Sequence, residues 1–322
     1  MAIEKGAKLR EDLRTLVVES PMDEVQYAAD KILPPISVVQ PSGSIPVLPT
    51  SAGMKDLDLR KGERGTYKRS EWVWGKTTFT TAEYGYEELI NNVQALEHAD
   101  IFDEEVVAAR IGYSQLRLAR EKRVADAIFN TSTFTGTPNV QAAGTAWTTP
   151  ASADPWKNFD DAYTKIKAKA GLPKSALTAI IPELAFRRAM KVDAVIENVK
   201  YTQNIEVLPM NQKAQFFADY LGVKNIHVVD SIIDSTPQGI EAADFGAIWD
   251  ETMAMLAYLS PESPSWKTPG LGRQPRWSKF AKDVKVDSYD ENNTDSRVVR
   301  TREFSGEAVN TTFGVLLTGV TA

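Results

Sequence analysis

Residues 103–130, DEEVVAARIGYSQLRLAREKRVADAIFN, run for 28 residues without a proline. At 1.5 Å per residue such a run forms a helix roughly 40 Å long, longer than a small domain is wide. Asp103, Glu104 and Glu105 open it, and Lys122 and Arg123 lie toward its end. Both arrangements suit the helix dipole. Gly112 stands in its middle, where glycine costs about 1 kcal/mol relative to alanine. Close packing, with no room for a side chain, is the plain reason to keep it.

The segment before the helix has a different period. KRSEWVWGKTTFTTAEYGY (68–86) alternates, with Trp72, Trp74, Thr78, Thr80, Tyr84 and Tyr86 on one register and Glu71, Val73, Thr77, Phe79 and Glu83 on the other. Period two with aromatics and threonine is a strand signal. Leu57 and Leu59 alternate upstream, and Gly62 to Gly65 supplies a turn. The expectation is a long hairpin over 55–86 with apolar side chains on both faces. An isolated two-stranded hairpin is marginal in water. Burying one large apolar side chain returns about 1.5–3 kcal/mol, which these aromatics cannot obtain from each other alone. The ribbon therefore folds onto its own core or lies on another subunit. Trp72, Trp74 and Phe79, with the basic residues Arg64, Lys68 and Arg69, are the candidate interface set.

The proline-studded stretch LPPISVVQPSGSIPVLPT (33–50) reads as an extended arm, since proline forbids helix and disfavours central strands. YEELINNVQALEH (86–98) places Leu89, Ile90, Val93 and Leu96 on a helical stripe. Residues 131–155 read as a loop, 160–170 as a helix stopped by Gly171, Leu177–Ile181 as a buried strand, and 211–222 as a second glycine-stopped helix. VKNIHVVDSII (223–233) and FGAIW (245–249) read as strands, the latter paired with MAMLAYL (253–259). KDVKVDSY and SRVVRTREF flank DENNTD as one hairpin, and TTFGVLLTGV closes the chain as a strand.

Composition sets the chemical bounds. The 322 residues carry a net charge of -6 and no cysteine. That charge leaves no basic footprint for tight nucleic-acid binding, and the missing thiols exclude disulfides, thiolate zinc sites and cysteine nucleophiles. Residues 1–20 lack the apolar core of a secretory signal, and no run of about 18 apolar residues suits a membrane span. His98 stands near Asp100, Asp103, Glu104 and Glu105, but acids at a helix start answer the dipole, so no metal site is assigned. His227 reads as a partly buried sheet residue. Gly75-Lys76-Thr77 ends like a phosphate loop, yet position 70 is Ser and the context is a strand. No catalytic set, metal or cofactor is expected, and the chain does not read as an enzyme.

In element order and spacing the chain resembles the major capsid proteins of tailed double-stranded DNA phages, of the Hong Kong ninety-seven capsid fold. The resemblance rests on FTTAEYGYEELINNVQALEHADIFDEEVVAARIGYSQLRLAREKRVADAIFN, on WTTPASADPWKNFDDAYTKIKAKAGLPKSALTAIIPELAFRRAMKVDAVIENVKYT, on IWDETMAMLAYLSPESPSWKTPGLGRQPRWSKF and on FGVLLTGV. It implies an α+β fold with an N-terminal arm (1–54) and an extended hairpin loop (55–86). It implies a peripheral domain (87–159 and 265–305) with a spine helix at 103–130, and an axial domain (160–264 and 306–322). The implied function is a structural subunit forming hexamers and pentamers of an icosahedral head around double-stranded DNA, contacted non-specifically. The implied location is the virion capsid, assembled in the bacterial cytoplasm. Implied partners are the chain itself, a separate scaffolding protein, a portal and a decoration protein, with no membrane. Family shells start as a rounder precursor whose spine helix is bent, which makes Gly112 a hinge candidate. An encapsulin-like protein compartment shares the fold, and a soluble β-rich enzyme is the reading from another class.

Overall fold

The structure is a computed structural model that describes residues 8–9, 27–56, 58–61, 65–69, 73–98, 103–199, 209–236, 244–259 and 265–321. In chain order the elements begin with β1 (Lys8–Leu9), α1 (Ala29–Ile32), β2 (Pro35–Val38), β3 (Ser42–Val47), β4 (Gly75–Thr80), β5 (Ala82–Asn91), α2 (Asn92–His98) and α3 (Glu104–Ile128). There follow β6 (Val140–Ala142), α4 (Pro155–Ala170), β7 (Thr178–Pro182), α5 (Glu183–Ala189), α6 (Asp193–Val199), α7 (Met210–Leu221), β8 (Asn225–Val229), β9 (Ile232–Asp234) and β10 (Phe245–Ala247). The chain ends with β11 (Met253–Ala257), β12 (Gly272–Trp277), β13 (Val284–Glu291), β14 (Ser296–Ser305), β15 (Ala308–Val309) and β16 (Gly314–Thr318).

The long helix is α3, and Asp103 caps it by accepting from the Glu105 N–H at 2.9 Å. It packs on a sheet whose centre is the antiparallel trio β5–β14–β13. Ile90, Ala108, Ala109, Leu116, Val284, Val286 and Val299 form the shared core. Small residues at 108, 109 and 112 let helix and sheet approach closely. Here the structure corrects the helix expected over 86–98, because residues 82–91 are strand and only 92–98 are helical. Along β5 the alternation of Tyr84, Tyr86 and Ile90 inward matches a ladder of ten partners on β14. That ladder pairs the segment's backbone groups and outweighs the helical stripe, so Leu89, Val93 and Leu96 stay exposed.

The second sheet runs β6-β16-β11-β7-β8. Strands β7, β11 and β16 are almost wholly buried, as apolar runs covered on both faces require. One face carries α4, α5 and α7 around Phe159, Phe186 and Phe217. The other meets α1 and the last turns of α3 through Val124, Ile128, Phe134 and Trp249, a cluster separate from the one α3 forms with the first sheet. Trp147, also fully buried, donates to Asn158 Oδ1 at 3.0 Å. Gly171 and Gly222 end α4 and α7 in the left-handed region, where glycine is free of strain. Strand β10 pairs with β9, not with β11 as expected. Strand β11 needs a partner on each edge and finds them in β16 and β7, whereas residues 245–247 are exposed and form a small surface hairpin. The expected single strand at 223–233 breaks at Asp230-Ser231, and the expected loop at 131–155 contributes β6 beside β16.

The ribbon differs in its pairing. Strand β4 pairs with β3, from Ser42↔Thr80 to Val47↔Gly75. The described parts of 55–69 hold no strand, while Leu57 and residues 62–64 lie outside the described residues. Pro46 has no N–H to offer, and β3 accommodates it because its other edge pairs with nothing among the described residues. The arm and one side of the ribbon are therefore the same stretch of chain.

Candidate assembly surface

The ribbon leaves its apolar side chains in solvent. Val73 is 88% exposed and Trp74 60%; Leu59 and Tyr67 are exposed as well. Lys68 and Arg69 are exposed beside them. Phe79 is half-covered, because it lies over Gly43 on β3 and its ring stacks on Trp266 at 5.5 Å. Trp74 and Phe79 thus frame β4, whereas Trp72 and Arg64 fall outside the described residues.

A second surface forms where β5 ends and α3 begins. Leu89, Val93 and Leu96 are exposed there, and Val107 and Ile111 are partly so. Asp103, Glu104, Glu105 and Arg297 line a cavity of about 480 Å³ with Ile90 and Leu96. Glu105 pairs with Arg297 of β14 at 2.5 Å. One surface is apolar and basic, the other apolar and acidic.

A network that patterning did not reveal links α3 to β12 and β14. Arg120 is 3% exposed and pairs with Glu303, with Asp30 at 3.4 Å and with Asp283 at 3.3 Å. Arg276 holds Asp30 and Asp283 at 2.9 and 2.6 Å. Arg123 reaches Glu303 and Glu307, each at 2.9 Å, and its guanidinium lies 3.6 Å over the Tyr84 ring. Arg123 therefore joins helix to sheet and does not serve the helix end as expected. Burial alone would raise the Glu303 carboxyl, but Arg120 and Arg123 hold it below its ordinary value. The available signal was Arg120 midway between Leu116 and Val124, a charge on an apolar helical stripe.

Glu121, fully buried, accepts from Ala28 N at 3.1 Å, Ala29 N at 2.7 Å, Trp249 Nε1 at 2.7 Å and Ser231 Oγ at 2.9 Å. It caps α1 from another helix and ties α1 and α3 to Ser231, after β8, and to Trp249, after β10. Lys169 of α4 donates to Asn139 Oδ1 at 2.8 Å and to the carbonyls of Thr311 and Gly314 at 2.9 Å. Burial, with Lys165 nearby, pushes its pKa down to about 8. His227 is half-buried in β8, and burial and Lys31 lower its pKa. Among the described residues no group of three His, Cys, Asp or Glu is placed to hold a metal, and no helix is long and apolar enough to cross a membrane.

A crystal structure of a phage-related protein from Bordetella bronchiseptica RB50 superposes with a TM-score of 0.72 at 17% identity, covering 98% of this chain and 99% of that one. The capsid structure of the cyanophage P-SCSP1u matches at a TM-score of 0.53 and 10% identity, over 94% of this chain and 92% of that one. The chain has the capsid fold of the tailed phages. In sequence, the major capsid protein of Burkholderia phage BcepMu is 26% identical over 181 residues, which is 55% of this chain and 56% of that protein. The chain thus aligns with about half the length of that curated relative. No protein-family model matches. Among the described residues, the ribbon and the patch where α2 meets α3 both expose large apolar side chains.

Proposed function

We propose that this chain is a major capsid subunit, a structural protein and not an enzyme, that assembles into hexamers and pentamers of an icosahedral head around double-stranded DNA. The observation that carries this reading is the ribbon, whose Leu59, Tyr67, Val73 and Trp74 are solvated in the single chain. Exposed apolar side chains in such number mark an interaction surface. In this reading 1–54 is the arm, 55–86 the extended loop with its root in β3 and β4, and α3 the spine of a peripheral domain (87–159 and 265–305). Residues 160–264 and 306–322 form the axial domain.

The ribbon of one copy lies on the α2–α3 patch of the next, with Lys68 and Arg69 toward Asp103 and Glu104. Such exposed pairs contribute about 0–1 kcal/mol each, but a closed shell repeats them at every contact. The net charge of -6 suits a wall that encloses DNA without gripping its phosphates. Scaffolding, portal and decoration proteins would be separate partners, and the shell would form in the bacterial cytoplasm.

Electron microscopy and velocity sedimentation of the purified chain test this. Closed shells are the expected result, and a small globular oligomer at every concentration overturns it. DNA within particles from infected cells separates a phage head from a compartment with protein cargo.

A further inference from the structure

A cavity of about 770 Å³ opens at the ribbon root, lined among others by Leu48, Met54, Trp74, Trp266, Phe313 and Arg273. Arg273 in β12 is 3% exposed. Its guanidinium donates to the Gly272 carbonyl at 3.1 Å, the Ser265 carbonyl at 3.3 Å, the Thr268 carbonyl at 3.4 Å and the Thr268 hydroxyl. All four acceptors are neutral, and its Nε has no acceptor. Among the described residues, the other buried arginines, Arg120 and Arg276, each meet two or more carboxylates. The cavity lining, again among the described residues, adds a second cation, Lys267, and contains no acid. Arginine stays charged in a protein, and a buried charge calls for a counter-charge. An apolar cavity with an uncompensated guanidinium fits an apolar group that carries a carboxylate.

The chain displays that chemistry on its own ribbon. Leu59 is 74% exposed and does not line its own cavity. Beside it, the Asp58 carboxylate accepts only the Arg60 N–H, through Oδ1 at 3.1 Å, so its other oxygen is open. The cavity mouth is apolar and exposed at Met54 and Trp74, which suits a protein segment more than an enclosed small molecule. We propose that the cavity receives the ribbon of a second copy, with Leu59 seated among the apolar residues and Asp58 on Arg273. This rests on the capsid reading and adds a second contact to the one at the α2–α3 patch.

The chain has no cysteine, so disulfide trapping is clean. One preparation carries Leu59→Cys and another carries Leu48→Cys, whose side chain is at the cavity rim. The two are mixed, assembled and oxidised. A heterodimer on a non-reducing gel is expected. Its yield should fall at least tenfold when Asp58→Asn is added to the first chain or Arg273→Met to the second. The exposed Asp58 change leaves folding intact should the Arg273 change not. Particles without the heterodimer, or a heterodimer indifferent to Asp58→Asn, overturn the contact while leaving the capsid reading standing. A chain that never assembles overturns both.

Discussion

Gly112 of α3 lies so close to Thr301 of β14 that a methyl group on it would sit 2.5 Å from Thr301 Oγ1 and 2.9 Å from Thr301 Cβ. Tyr86 closes the same space at 3.3 Å. The Thr301 hydroxyl is buried without a hydrogen-bond partner, a sign that helix and strand meet here at the expense of polar satisfaction.

Alanine at 112 gains about 1 kcal/mol of helix propensity but overpacks a contact at about 1–3 kcal/mol. Gly112→Ala should therefore leave the subunit unchanged or destabilised by up to about 2 kcal/mol, read as a lower urea midpoint. Adding Thr301→Ala should recover part of the loss. A hinge role predicts otherwise: a stable subunit that yields less precursor shell and shifts its expansion temperature. Thermal scans of both particle types separate the two.

Glu121 joins four donors from three parts of the chain. Trp249 Nε1 keeps the Ser231 hydroxyl as a second acceptor at 3.0 Å, whereas the buried Ala29 N–H and Ser231 O–H lose theirs. At about 1–3 kcal/mol per buried donor left unpaired, Glu121→Ala should lower stability by about 2 kcal/mol or more. Glu121→Gln keeps one acceptor oxygen and should lose roughly half as much. Guanidinium unfolding gives the magnitude. Trp249, now fully buried, should move to longer emission wavelength in Glu121→Ala; an unshifted spectrum would place the loss elsewhere.

Glu303 sets an acid limb. Its folded pKa lies below its ordinary value. On acidification the unfolded chain therefore takes up the proton first, and stability falls as the pH is lowered. The contribution is complete above the unfolded value of about 4.3 and is lost as pH drops through the folded pKa. Glu303→Gln should be less stable at pH 7 and show a flatter decline on acidification. Urea midpoints measured from neutrality down to about pH 3 check both, the range being set by that unfolded value. A variant with the same acid slope as the parent would assign the limb to other carboxylates.

Trp74 is 60% exposed in the isolated chain, so Trp74→Ala should change subunit stability by no more than about 0.5 kcal/mol, as for surface positions. Together with Trp72→Ala it should nonetheless abolish or weaken shell formation, read by sedimentation at matched concentration. A double variant that unfolds as a monomer would make the ribbon part of the subunit core.

Local rules decided much of this protein in the sequence itself. The span of α3, its Asp103 cap, the glycine stops at 171 and 222, and the β13–β14 hairpin all follow from short-range period and cap chemistry. The apolar excess of the ribbon was equally legible, since it depends only on which residues alternate. What the sequence left open was the choice of partner. Residues 86–91 satisfy a helical stripe and a strand alternation alike, and only the free edge of β14 resolves them as strand. Strand β4 takes β3 and not the nearer leucines, and β11 is claimed by β16 and β7 before β10 reaches it. The inward face of β14 carries Thr301 and Glu303, polar residues that alternation alone would turn to solvent. They point inward because Gly112 leaves room for one and Arg120 neutralises the other. Period and caps act over a few residues, whereas pairing and charge compensation join residues nearly two hundred positions apart, so only the tertiary structure fixes them.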